Sequence, residues 1–212
     1  MMSRFLKTTR SLIVLAGLAL LPGLSFAVTA PDVMVKEVSD EVLEIVRTDK
    51  TIQSGDMTKA LQLIDAKILP HFDFTRMTAL ALGRDWRSAT PEQRKNLTAE
   101  FRTLLVRSYA NALTRFKDYQ ISFKPLKMQP GDTDVIVRTD VRKAGQQPDS
   151  VDYSLYLKDG EWKVFDVAVA GVSLITSYRD AFGQEVKASG IDGLIASLKS
   201  KNAQNEGAPA KK

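Results

Sequence analysis

From Pro31 to about Gly55 the apolar residues Met34, Val38, Val42, Ile45 and Val46 return at spacings of three and four, the period of a helix with one face against a core. Gly55 closes that segment. Asp56 then stands where it can cap a second helix with the stripe Met57, Leu61, Ile64 and Ile68, and Pro70 halts it. A third, less regular helical stretch carries Phe74, Met77, Leu80, Ala81 and Leu82 up to Gly83. The clearest helix start is Thr90-Pro91-Glu92-Gln93: Thr90 caps, Pro91 suits the first turn, and Gln93 reaches back as in a capping box. Its apolar face runs through Leu97, Phe101, Leu104, Leu105, Tyr109, Ala112, Leu113 and Phe116, a stripe sustained for about five turns.

Between Tyr119 and Ala170 the period drops to two, and strand candidates alternate with turn residues. Tyr119, Ile121 and Phe123 line the first, and Pro130-Gly131-Asp132 turns into Val135, Val137 and Val141. Residues Gly145 to Pro148 lead to Val151, Tyr153, Leu155 and Leu157. Lys158-Asp159-Gly160 makes a tight hairpin into Phe165, Val167 and Val169. The alternate positions Asp134, Arg138, Asp140, Arg142, Asp152 and Ser154 are polar, so the sheet has one wet side and one apolar side that helices must cover. After Gly171, two further helices are expected, with Leu174, Ile175, Tyr178 and Phe182, then Ile191, Leu194, Ile195 and Leu198. The fold class is α+β, a twisted four-stranded antiparallel meander packed against several helices.

Ahead of all this, Arg4, Lys7 and Arg10 precede an uncharged apolar run from Leu12 to Leu24, and Ser25-Phe26-Ala27 offers a cleavage site. Residues 1–27 therefore read as a signal peptide, and the run is short for an uncleaved anchor. Residues 28–201 form one domain, and residues 202–212, polar and lysine-tipped, a disordered tail. The chain has no cysteine, so an exported domain of this size depends on core burial rather than disulfides. The formal charge of +5 falls to +2 once the three basic residues of the leader are removed, which argues little for nucleic acid. Arg84, Arg87, Arg94, Arg102, Arg107 and Arg115 are interleaved with acids as on a solvated helix face.

The parts for catalysis are few: one histidine, no cysteine, no nucleophile elbow and no glycine-rich phosphate loop. His71 with Asp73 two residues on is either a dyad or, more commonly for such a spacing, local capping. No cluster suited to a metal appears, and no cofactor is expected.

Gly83-Arg84-Asp85-Trp86-Arg87-Ser88-Ala89-Thr90-Pro91-Glu92-Gln93-Arg94, then Phe101 and Leu104 to Ala110, Glu161 to Val167, Gly171-Val172-Ser173-Leu174, Tyr178-Arg179 and Gly190 to Leu194 follow one another in a known order. In these blocks, spread over most of the mature chain, the sequence resembles the MlaC (toluene-tolerance Ttg2D) family of periplasmic phospholipid-binding proteins. The resemblance implies a fold akin to the nuclear-transport-factor-2-like cone, with an internal apolar cavity between sheet and helices. It also implies a monomer that binds phospholipid as cargo and no nucleic acid. Its partners would be an inner-membrane ABC transporter complex (an MlaD-like component) and an outer-membrane lipoprotein–porin complex (MlaA-like), the pathway that maintains outer-membrane lipid asymmetry.

Burying roughly thirty acyl methylenes is worth on the order of 24 kcal/mol, which calls for a cavity of hundreds to about a thousand cubic ångströms. The candidate lining is the sheet's apolar face with the opposing helix stripes: Phe101, Leu105, Tyr109, Val137, Tyr153, Leu155, Phe165, Val167, Val169, Ile175 and Tyr178. Val172 and Leu174 fall at the rim, or serve as an ordinary cap and staple. Each lining residue has core packing as its alternative role. Two rival readings stand beside the carrier: an enzyme on the same scaffold using Asp166, Asp140 and Tyr153, and an interaction or chaperone module with a filled core.

Overall fold

The stripe from Met34 to Val46 forms helix α1 (Pro31–Thr48) in the computed structural model of the protein, which describes residues 28–206. The expected signal peptide, at residues 1–27, lies outside the described residues. The helix stops before Gly55 because Asp49 leaves helical geometry and its carboxylate accepts from the Thr51 and Ile52 amides, opening a one-turn helix α2 (Lys50–Gln53). A side-chain acceptor that satisfies the free amides of a new helix competes with propagation of the old one.

Asp56 caps α3 (Met57–Leu63) through the Lys59 amide at 3.0 Å. The chain then widens into a π turn (Ile64–Ile68) and a 3-10 turn (Leu69–His71) that holds Pro70. Asp73 caps α4 (Phe74–Leu82), a single turn α5 (Asp85–Ser88) follows, and α6 (Pro91–Leu113) begins with the expected capping box.

The sheet is a meander in the order β1 (Tyr119–Phe123), β2 (Asp134–Lys143), β3 (Asp149–Lys158), β4 (Glu161–Val169) and β5 (Val172–Ser173), every pairing antiparallel. It has five strands where four are expected. The fifth is two residues long and follows a turn with Ala170 at φ 49° and Gly171 at φ 79°, too short for a period of two to register.

Opposed residues of an antiparallel pair share a face. Val137 opposes Tyr153 and Tyr153 opposes Val167, while Val135 opposes Leu155 and Leu155 opposes Val164. Between those two rungs β4 carries an extra residue, since Ser154 pairs with Asp166 and leaves Phe165 without a partner. This bulge corrects the expected row of Phe165, Val167 and Val169. Trp162, Val164, Val167 and Val169 share one face. Phe165 turns to the other, edge-on to Tyr156 at 5.8 Å with the Arg76 guanidinium 3.9 Å above both rings.

Helix α7 (Leu174–Glu206) contains the last two expected helices, joined across a break at Gly190 (φ 75°, ψ −179°). The expected tail begins too early: residue 202 is helical, and its side chain is buried at 4 % exposure.

Among the described residues, most buried apolar side chains gather in three clusters. The helical one joins Met77, Leu97, Phe101, Leu105, Ile175 and Leu198; a second sits between α1 and the sheet; the third joins α1, α2 and α3 through Val46, Ile52 and Leu63. Among the described residues no helix is long and apolar enough to cross a membrane.

Candidate functional site

The apolar face of the sheet is sealed at one end and open at the other. Toward the β3–β4 hairpin, Val135, Val137, Leu155, Trp162 and Val164 are buried, with Val35 of α1 against them. Toward β5 the same face loses its cover. Val151, Tyr153 and Val167 are only half-buried, Val169 is 42 % exposed and its strand partner Val172 is 63 % exposed. Helix α7 leaves β5 at Leu174, half-buried, and carries Tyr178 one turn along. Burial raises the Tyr178 phenol, and the Tyr109 phenol on α6 adds to that shift. Tyr109 itself is 46 % exposed, where the apolar stripe of α6 runs past the core.

The residues proposed from sequence thus fall into two groups. Phe101, Leu105, Val137, Leu155 and Ile175 are core: Phe101 is sealed by edge-on contacts with Tyr178 (5.0 Å) and Phe182 (5.1 Å), and Leu155 and Val137 lie under the sheet cluster. Phe165 joins the helical cluster from the opposite face of the sheet. Tyr109, Tyr153, Val167, Val169, Val172, Leu174 and Tyr178 keep apolar surface accessible. Ser173 caps α7 by accepting from the Thr176 amide at 3.0 Å, so the cap and the exposed rim coexist at Val172–Leu174.

Tyr153 stands out chemically. Burial pushes its phenol up to about 12, yet the residue retains part of its surface. The phenol is thus enclosed by protein on most sides while part of the residue stays accessible.

Two hollows lie at the far end of β4, near the hairpin. One of about 290 Å³ is bounded by Phe72, Asp73, Lys158 and Lys163, the other of about 300 Å³ by Met34, His71, Trp162 and Lys163. Both are at the small end of the expected range, and their walls contain charged groups and none of the residues read from sequence as the lining. They flank a polar knot. Asp73 accepts from the Arg76 amide (2.9 Å), from Lys158 Nζ (2.9 Å) and from the Tyr156 hydroxyl. Burial alone would raise this carboxyl, but those donors outweigh it and hold the group below the usual carboxylate range. His71 is half-buried, and burial with the nearby Lys163 lowers its pKa. Capping, not a dyad, accounts for Asp73.

The groups of the enzyme reading are kept apart. Asp140 pairs with Lys124 at 2.8 Å, and Asp166 accepts from Ser173 Oγ at 2.6 Å and from the Ile175 amide at 3.3 Å. Both carboxylates lie on the sheet face opposite Tyr153. Two positions on the Tyr153 face were not among the lining residues read from sequence. Val151 belongs to the open face, and its place two residues before Tyr153 was the signal. Thr139, between Val137 and Val141, is fully buried because its hydroxyl donates to the Val151 carbonyl at 2.8 Å.

A profile of the MlaC protein family matches residues 36–200. The chain belongs to the MlaC family. It is similar to the intermembrane phospholipid transport system binding protein MlaC of Haemophilus influenzae, 25 % identical over 184 residues covering 85 % of this chain and 86 % of that protein. It is also similar to the toluene tolerance protein ttg2D of Pseudomonas putida, 27 % identical over 185 residues, 86 % and 84 % of the two chains. Among solved structures, the phospholipid-binding protein of Ralstonia solanacearum, determined in complex with a phospholipid, superposes with a TM-score of 0.77 at 37 % identity, over 82 % of this chain and 97 % of that one. The MlaC family comprises lipid-binding transport proteins, and membership sets aside the enzymatic rival. The five-stranded sheet and its helices are the MlaC fold.

Proposed function

We propose that this MlaC-family chain is a periplasmic phospholipid carrier that holds acyl chains against the open end of the sheet's apolar face. One observation carries the reading: the Val137–Tyr153–Val167 rung passes from a sealed residue to half-buried ones within one sheet face, leaving apolar surface that no side chain packs over. Relatives named for phospholipid transport and for phospholipid binding, one of them solved with its lipid, support the same class of cargo. Tyr109, Tyr153, Val167, Val169, Val172, Leu174 and Tyr178 line the path, with Val151 beside them, while Phe101, Leu105, Val137, Leu155 and Ile175 form the wall behind.

Tails bound in this way gain hydrophobic free energy only while water is excluded, so the helices and sheet must part for loading and close over the chains afterwards. The leader predicted at residues 1–27 sends the mature chain to the periplasm. There it serves as the diffusing intermediate between the outer-membrane lipoprotein–porin complex and the inner-membrane ABC transporter, which preserves lipid asymmetry.

Native mass spectrometry of the mature protein tests the reading. The expected result is a mass increment matching about one phospholipid per chain, with the same lipid recovered in a solvent extract. A preparation that carries the polypeptide mass alone and neither co-purifies nor takes up phospholipid from vesicles of phosphatidylethanolamine and phosphatidylglycerol would overturn it.

A further inference from the structure

The hydroxyl of Tyr153 makes no hydrogen bond to any described residue, although it lies in the middle of the sheet and its neighbours on the same face are Val137, Val151, Leu155 and Val167. It is not sealed in the packing either, because the residue keeps part of its surface. A phenol in an apolar recess normally finds an acceptor, since leaving it without one forfeits the hydration it had in the unfolded chain. Its paired and in-strand neighbours on that face are hydrocarbon, and the diagonal Thr139 donates its own hydroxyl to the Val151 carbonyl. The two other tyrosines of the path are differently placed: Tyr109 is 46 % exposed to solvent, and Tyr178 has the Ser108 hydroxyl within reach.

Position along the strand narrows what the acceptor is. Val151, Val169 and Val172 make the outer apolar rung, and Tyr153 and Val167 make the next one inward. Two residues of strand place Tyr153 about 7 Å below the rim. In a diacyl phospholipid whose phosphate stays in water at the rim, that depth is where the glycerol ester carbonyls lie, between the charged head group and the hydrocarbon. They are the last hydrogen-bond acceptors before the tails, and they are acceptors only, matching a donor with nothing else to bond.

We infer that Tyr153 donates a hydrogen bond to an ester carbonyl of the bound phospholipid, setting the depth of the cargo and selecting acyl-ester over ether-linked chains. This inference rests on the carrier reading above but not on the identity of the head group. Tyr153 is a specificity-determining residue in this scheme, while the free energy of binding comes from the tails.

The test compares dipalmitoyl phosphatidylethanolamine with its di-O-hexadecyl analogue, equal in head group and chain length but lacking both carbonyls, by displacement of a fluorescent phospholipid from the mature protein. Wild type should prefer the ester lipid by about tenfold, the scale of one hydrogen bond in a water-poor site. Tyr153→Phe should bind the ether lipid as wild type does and lose the ester preference. The wild-type comparison stands even if the variant is poorly folded, and Tyr119→Phe, on β1 and outside the path, serves as a variant that keeps the preference. Equal affinity of wild type for the two lipids, or an ester preference that survives in Tyr153→Phe, overturns the inference while leaving the carrier intact. Failure of wild type to bind either lipid removes the carrier reading itself.

Discussion

The amide of Asn202 donates to the backbone carbonyl of Glu100 at 2.9 Å and to its carboxylate at 2.8 Å, joining residues 102 positions apart. Arg107 closes the contact by donating to the Asn202 carbonyl. The end of α7 is thereby clamped to the middle of α6, and with it the helical wall behind the open sheet face. Asn202→Ala should cost about 1–3 kcal/mol, read as a lower urea midpoint with an unchanged slope. Truncation after residue 201 should cost more, since Leu198 loses its covering turn. An unaltered midpoint in both would mean that the contact does not hold α7 in solution.

Gly190 adopts φ 75° and ψ −179°, a conformation essentially closed to residues with a Cβ. The break it creates lets the last part of α7 turn back so that Asp192 accepts from Gln93 at 2.9 Å and Asn202 reaches Glu100. Gly190→Ala has open space for its methyl group, so its effect is one of backbone strain: a loss of about 1–3 kcal/mol in thermal or urea unfolding. Stability equal to wild type would show that the kink is not required.

Asp73 links the start of α4 to β3 through Tyr156 and Lys158. Because its folded pKa lies below the ordinary 3.8, the stabilisation is fully present above that value and fades as pH drops through the folded pKa. Asp73→Asn should therefore be less stable than wild type by about 2 kcal/mol at neutral pH, where the ionised carboxylate is lost. The difference should narrow on acidification below 3.8. A gap that is constant from neutral pH to about pH 3 would rule out the carboxylate's charge as its source.

Val167 lies beside Tyr153 on the open face, and Ala168 points to the other. Filling space on one side should exclude the tails. Val167→Trp is expected to reduce co-purifying phospholipid to below about a tenth of the wild-type amount while the protein stays folded by circular dichroism. Ala168→Trp should retain its cargo. Full occupancy in Val167→Trp would relocate the path away from this rung.

Much of the secondary structure was legible along the chain because its signals are local. Thr90 and Gln93 form the capping box from side chains three residues apart, and Lys158 to Glu161 close the hairpin with Asp159 and Gly160 at positive φ. Such interactions do not depend on what the rest of the molecule does. The errors came where a local signal met a competing one. Asp49 ended a helix that hydrophobic spacing would have continued, and the unpaired Phe165 reversed an alternation that spacing alone assigns to one face.

By itself the sequence determined the class of fold, the order of helices and strands, the lack of catalytic machinery and, through its ordered blocks, the likeness to MlaC. Only the tertiary structure separated core from path among the apolar residues. Phe101 and Tyr109 sit on the same helix stripe, yet one is wholly buried and the other nearly half exposed, because Tyr178 and Phe182 of α7 pack edge-on against the first. Side-chain chemistry is the same kind in both places; what differs is which distant element packs against it, and hydrophobicity states that a residue avoids water without stating what replaces the water.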